Sequence, residues 1–245
     1  MAYTKLVQTG NLIEVYAYGK EPAVFMHRKN RVRRTPKPDG ARGRNTTRRG
    51  DNLARARKSF RRIVLGNLSK GSPDLLTLTM LDILDVGDAY KCLAAFRQKI
   101  RRTYGPLVHW IAVPEFQKRG AVHFHLLIWG LPYETVKYER QIRDLATLWG
   151  HGYVDIRITD GSPKLATYLS KYMSKAMHDG RLVGKKAYSA TRGIVRPMST
   201  NSPLQIDFVT QEFGLDVIPN PALQLERSYG TLWLGRCNYK RYVVP

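Results

Sequence analysis

The sequence predicts an α+β fold in which helices pack on an antiparallel sheet, and two observations predict it. Apolar patterns in the centre of the chain run strand, helix, strand, strand, helix, strand, helix, an order that suits helices laid on an antiparallel sheet. Two of the strand-like runs, "LVHWIAVPEF" at 107–116 and "AVHFHLLIW" at 121–129, are separated only by "QKRG", which is the length of a hairpin connection.

The elements follow in order. "KLVQTGNLIEVYAY", 5–18, reads as two strands around a "TGN" turn. Residues 28–50 are basic and rich in turn formers and read as a loop or arm, ordered on binding. "DNLARARKSFRRIVLGNL" follows, with Asp51 or Asn52 placed to cap a helix of about four turns. "DLLTLTMLD", 74–82, alternates as a strand. "DVGDAYKCLAAFRQKIRRTYG", 85–105, is an amphipathic helix ending at Gly105. After the hairpin, "ERQIRDLATLWGHG" at 139–152 is a helix with a glycine stop and "YVDIRIT" a strand. "SPKLATYLSKYMSKAMHDG", 162–180, has Ser162 as cap, Pro163 at the first helical position and Gly180 at the exit. Beyond about 181, "KKAYSAT", "LQIDFVT" and "LQLERSYGTLWLGRCNYKRYVV" read as strands. The organisation expected is an N-terminal extension over 1–73, a core over 74–180 and a β-rich segment over 181–245, the last either completing the core sheet or added to it.

Charge narrows the partner. The chain carries 41 Lys and Arg against 19 Asp and Glu, a net charge of +22, and such an excess is usually matched by a polyanion. It is concentrated between Arg28 and Arg62, where Asp39 and Asp51 are the acids. Arg31, Arg33, Arg34, Arg48, Arg49, Arg55, Arg57, Lys58, Arg61 and Arg62 are the candidate DNA-binding residues. Phe60, Tyr104 and Trp110 are aromatics able to stack on bases, although their apolar settings favour the core. Cys92 and Cys237 are the only cysteines, which excludes a disulfide framework and a thiolate metal site. There is no apolar run of membrane-spanning length and no secretory pattern at the start, so a cytoplasmic protein is expected.

The chemistry concentrates in the hairpin. His123 and His125 lie two apart in an apolar strand, so both project from one face. If "KRG" is a three-residue loop with Gly120 in the left-handed conformation, Glu115 pairs with His123 and joins that face. A five-residue loop keeps this arrangement, whereas a four-residue loop sends Glu115 to the other side. Two imidazoles and a carboxylate on adjacent strands make a three-ligand divalent-metal site with open positions. Gln117 is a lesser candidate on the same face, and His151, in "WGHG", a weaker one.

A second constellation is "YLSKYMSK", 168–175. Tyr168 and Tyr172 are four apart and share a helix face, with Lys171 and Lys175 three residues after each. Tyrosine ionises near 10, so it is a poor nucleophile unless a cation or a polarised electrophile assists it. A tyrosyl attack on a phosphodiester, with metal drawing charge off the phosphate oxygens, is a coherent reaction for this pair of motifs.

"HFHLLIW" resembles the His-hydrophobic-His motif of the HUH endonucleases. "YLSKYMSK" is similar to the tyrosine motif of their rolling-circle replication initiators of plasmids and single-stranded DNA phages, in its two-tyrosine form. "LLTLTML" is similar to the strand motif that precedes the metal motif, and tyrosines lying after the histidines match the initiators. The resemblance covers about residues 74–180. It implies a five-stranded antiparallel sheet of the HUH/RRM-like palm type, with the histidines on a central strand and the tyrosine helix across that face. It implies Mg²⁺ or Mn²⁺ held by Glu115, His123 and His125, and Tyr168 and Tyr172 as nucleophiles that nick single-stranded or hairpin origin DNA. The product would be a 5′-phosphotyrosine and a free 3′-OH. Lys171 or Lys175 would contact the scissile phosphate or steady the phenolate.

No phosphate-binding loop of the G-x-x-x-x-G-K-[ST] type occurs; "GRLVGKK" at 180–186 has the wrong spacing. Strand separation is therefore expected from a host helicase, supercoiling or an extruded hairpin, with a host polymerase extending the 3′ end. Two alternatives stand beside this reading. One is a transposase with the same chemistry. The other is a non-catalytic basic nucleic-acid-binding protein, which predicts salt-sensitive binding, no metal requirement and no nick.

Overall fold

A computed structural model describes residues 3–20, 46–132, 138–182, 185–232 and 234–245. Two five-stranded antiparallel sheets and five helices make an α+β fold. The chain divides into two compact units, Met1–Asn52 with Pro197–Pro245, and Leu53–Arg196. The basic segment 53–73 thus packs with the hairpin and the tyrosine motif, and the segment after 181 is shared between the units.

The second unit is built on β3 (Asp74–Thr79), β4 (His109–Phe116), β5 (Val122–Trp129), β6 (Val154–Arg157) and the two-residue β7 (Ser189–Ala190), in the order β6-β3-β5-β4-β7. β5 is therefore the middle strand, as expected. Alternation along the strands gives the sheet two different faces. Leu76, Leu78, Trp110, Ala112, Phe124, Leu126 and Ile128 point one way and pack with Leu93 and Phe96 of α2 (Val86–Tyr104) and with Leu145 and Trp149 of α3 (Tyr138–Trp149). Leu75, Ile111, Val113, Leu127 and Trp129 point the other way and meet Phe60, Ile63 and Val64 of α1 (Thr46–Asn67) and Ala166, Leu169 and Met173 of α4 (Lys164–Met177). Each of the large α1 side chains is fully buried, contributing roughly 1.5–3 kcal/mol apiece. Phe60 and Trp110 are core residues, as their apolar settings suggest, and Tyr104 is half-buried.

Three expectations need correction. α1 begins at Thr46 rather than at Asp51 or Asn52; Gly50 costs the helix only about 1 kcal/mol, and arginines on either side favour continuing it. α4 starts at Lys164, one residue past Pro163, and stops at Met177, short of Gly180. It stops there because His178 and Asp179 turn back onto the carbonyls of Lys175 and Ala176 in the tight pattern of a helix end. "LQIDFVT" is no strand but lies in α5 (Pro203–Glu212). Pro203 sits in its first turn, and Ile206, Val209 and Phe213 fall at helical spacing to pack on Leu6, Ile13 and Tyr242.

The first unit's sheet runs β8-β1-β2-β10-β9. Here β1 (Tyr3–Thr9) and β2 (Leu12–Tyr18) form the expected first hairpin, and β9 (Leu223–Thr231) and β10 (Gly235–Val243) a second. β8 (Met198–Thr200) closes the edge on β1. "KKAYSAT" contributes only β7, which pairs with β4. Residues beyond 181 therefore both complete the hairpin sheet and build the other one. No described helix is long and apolar enough to cross a membrane.

Candidate active site

The turn between β4 and β5 sets the site. Gln117 N–H donates to the Ala121 carbonyl at 2.9 Å, Gly120 N–H returns to Gln117, and Gly120 has φ 97°. This is the three-residue loop with a left-handed glycine, and it pairs Glu115 with His123 and Val113 with His125. Glu115, His123 and His125 consequently share the α1/α4 face, at the end of the sheet that the apolar residues leave open.

α4 lies over this end. Leu169 and Met173 are its buried stripe. Tyr168, Tyr172 and Lys175 occupy the neighbouring stripe, half-buried to exposed. The Tyr172 ring stacks on His125 with centroids 4.1 Å apart and planes 25° apart. Its hydroxyl donates to that of Tyr168 at 2.6 Å. Lys175 Nζ donates to Glu115 Oε1 at 2.6 Å, and Glu115 Oε2 lies 2.8 Å from His125 Nε2. Tyrosine pair, lysine, carboxylate and imidazole thus form one connected chain. Lys171 makes no polar contact among the described residues.

The donor set suits a cation. One ligand atom from each of Glu115, His123 and His125 falls within 4.8 Å of the others. His123 Nε2 is buried without a hydrogen-bond partner, an arrangement that folded proteins avoid unless something is meant to meet the atom. Burial, reinforced by His125, lowers the proton affinity of His123, and burial does the same to His125 against the pull of Glu115. Neutral imidazoles are the form that binds metal. Burial works to raise the Glu115 carboxyl, but the hydrogen bonds and charges of Lys175 and His125 outweigh it and hold the group below its ordinary value. The donors therefore fit a divalent ion in both identity and ionisation.

Tyr172 is tuned the other way. Burial, the contact with Tyr168 and the negative charge of Glu115 push its phenol up to about 12, with Arg157 pulling against them. A phenolate at Tyr172 thus needs added positive charge beside it, from a cation at the triad or from Arg157.

Sequence reasoning passed over three residues. Thr77, on β3, pairs with His125 and sets Oγ1 3.3 Å from its Nδ1. A hydroxyl both donates and accepts, so it can serve either tautomer of that ring. Its signal was the alternation in "LLTLTML", which puts a polar residue in line with the histidines. Arg157 reaches the same face from β6 by the pairing Leu75–Arg157. Arg119 is the third. The minor candidates lie elsewhere: Gln117 Oε1 accepts from Arg119 Nε at 2.8 Å, and His151 packs edge-on against Trp149 at 5.0 Å, outside the cluster.

Of the basic candidates, Arg55, Arg57, Lys58 and Arg61 are exposed along α1 and Arg62 is half-buried. Arg48 and Arg49 are placed in α1 by their backbone, with side chains outside the described residues, and Arg31, Arg33 and Arg34 lie outside them altogether.

No curated protein and no solved structure matches the chain. Residues 74–177, which run from the first strand of the hairpin sheet to the last residue of the tyrosine helix, match the family model described as replication-associated protein ORF2, and the match supports a replication initiator.

Proposed function

We propose that the protein is a rolling-circle replication initiator that nicks single-stranded origin DNA through a tyrosyl nucleophile. The observation that carries this reading is the stack of Tyr172 on His125, which stands a pair of hydroxyls directly over a carboxylate–imidazole triad. A structural tyrosine pair would have no reason to sit there, and a passive binder no reason to leave His123 Nε2 buried and unpartnered.

In the reaction, a tyrosine hydroxyl oxygen forms a bond to phosphorus and the bond from phosphorus to the 3′ oxygen breaks. The phenol proton passes to water, from Tyr172 by way of the Tyr168 hydroxyl. The departing 3′ oxygen takes up a proton, leaving a 3′-OH and a 5′-phosphotyrosine. Glu115, His123 and His125 would hold Mg²⁺ or Mn²⁺, which supplies Lewis-acid withdrawal of charge from the phosphate oxygens. Lys175 holds Glu115 in its ionised form and shifts toward the phosphate when that carboxylate is otherwise engaged. Thr77 holds the His125 ring in orientation. The exposed basic side of α1, with Arg55, Arg57 and Arg61, supplies sequence-independent phosphate contacts.

The test is covalent capture. Single-stranded oligonucleotides tiling both strands of the protein's own replicon, incubated with the protein and Mn²⁺, should yield a proteinase-sensitive adduct on a denaturing gel. Tyr168→Phe with Tyr172→Phe should abolish the adduct while binding persists. An adduct that survives the double substitution would remove the tyrosines from the mechanism, and binding without any adduct would favour the non-catalytic reading.

A further inference from the structure

Four cations surround the turn end of the β4–β5 hairpin, and their partners differ. Arg181 forks onto Asp179, with Nε 2.9 Å from Oδ1 and Nη2 2.7 Å from Oδ2, and lies over the Phe116 ring. Lys175 is paired with Glu115. Lys118 is exposed and makes no polar contact among the described residues, so it has no fixed direction. Arg119 is held yet not neutralised. Its Nε donates to the Gln117 side-chain oxygen at 2.8 Å, Nη1 to the Leu81 carbonyl and Nη2 to the Met80 carbonyl. All three acceptors are uncharged.

That combination has a consequence for ligands. A guanidinium has five N–H donors, so the three contacts leave two. The positive charge is intact, and the side-chain freedom that a flexible cation loses on gripping an anion has already been given up. Arg119 also lines the same cleft, about 410 Å³, as Glu115, His123 and Lys175. A planar fork beside a cation-binding triad suits a phosphate oxygen.

We propose that Arg119 is a phosphate-binding residue that positions a single DNA strand against the Glu115–His123–His125 triad. The proposal rests on the single-stranded substrate of the preceding section and adds the residue that sets the strand's register there. Arg181 approaches the same turn, through Nη1 to the Gly120 carbonyl at 3.0 Å, but Asp179 cancels its charge. The two arginines therefore form an internal comparison.

The measurement is binding of a fluorescent, mixed-sequence single-stranded oligonucleotide by the full-length protein, in EDTA, over a series of KCl concentrations. Each phosphate contact on a single strand contributes about 0.7 to the slope of log affinity against log salt. Arg119→Gln should reduce that slope by about 0.7, while Arg119→Lys and Arg181→Gln keep the wild-type slope. An unchanged slope in Arg119→Gln overturns the proposal. So does an equal loss in Arg119→Lys, since lysine keeps the charge but cannot reproduce the three-point clamp, and the role would then be structural. An equal loss in Arg181→Gln overturns it as well, by making the effect general to charge at the turn. If Arg119→Gln does not fold, Arg119→Lys decides alone by the same criterion. No metal or cleavage enters this measurement, so failure of the nicking reaction would show in the adduct assay and leave the slopes as they are.

Discussion

Replacing His123 by leucine should stabilise the metal-free protein while removing its response to divalent metal. The magnitude follows from one atom. Nε2 of His123 is buried and has no hydrogen-bond partner, and a buried polar group left unsatisfied costs about 1–3 kcal/mol. Leucine is of similar size and brings no polar atom, and some of the gain is lost in refitting a branched side chain beside His125 and Phe124. A net gain of about 1–2 kcal/mol remains, which for a chain of this size is a rise of roughly 2–8 °C in the unfolding midpoint. Wild type should behave in the opposite sense. At a free Mn²⁺ concentration about one hundred times the dissociation constant, an ion that binds only the folded protein adds about 2.7 kcal/mol. The order of stability should therefore reverse: the variant above wild type in EDTA, wild type above the variant in Mn²⁺. Thermal unfolding followed by the fluorescence of the buried Trp110 and Trp149 reads both states. A variant that is less stable than wild type by more than about 1 kcal/mol in EDTA would show that His123 is a satisfied structural residue. A variant that keeps the full Mn²⁺ response would show that the triad is not the metal site.

Two further outcomes test the scaffold. Burial raises the Asp74 carboxyl, at the head of β3, to about 6 from 3.8. A carboxyl that holds its proton more tightly when folded contributes stability that is complete below about pH 4 and is lost as pH rises through about 6. Asp74→Asn should therefore be more stable than wild type at about pH 7, by on the order of 2–3 kcal/mol, and the gap should close in urea titrations at about pH 4; a gap independent of pH would be inconsistent with this cause. Phe60 is fully buried on α1 and meets Tyr188 edge-on at 5.4 Å. Phe60→Ala should cost about 3–5 kcal/mol in urea unfolding, and a loss under about 1 kcal/mol would mean that α1 is an appended arm rather than a wall of the site.

The hairpin was legible because its connection is short. With "QKRG" between two apolar runs, the number of loop residues decides which face Glu115 takes, and a left-handed glycine at 120 selects the three-residue form. Tyr168 and Tyr172 were legible for a similar reason: four residues along a helix is one face, whatever the helix packs on. The misreadings arose where local pattern is ambiguous. "LQIDFVT" alternates like a strand, but Ile206, Val209 and Phe213 also match a helical stripe, and the core formed by Leu6, Ile13 and Tyr242 chose the helix. The start of α1 was misplaced because a capping residue is a permissive signal, and good helix formers upstream extended the element past it.

The sequence by itself determined the class of partner, the divalent-ligand residue types and the two spacings that put histidines together on a strand and tyrosines together on a helix, because charge and short-range periodicity are properties of the chain alone. Only the tertiary structure decided that Tyr172 stacks on His125, that Thr77 meets the same imidazole from β3, and that Lys175, not Lys171, reaches Glu115. Those contacts join residues from β3, β4, β5 and α4, and the distance between such elements is set by how their buried faces pack, which no local pattern encodes.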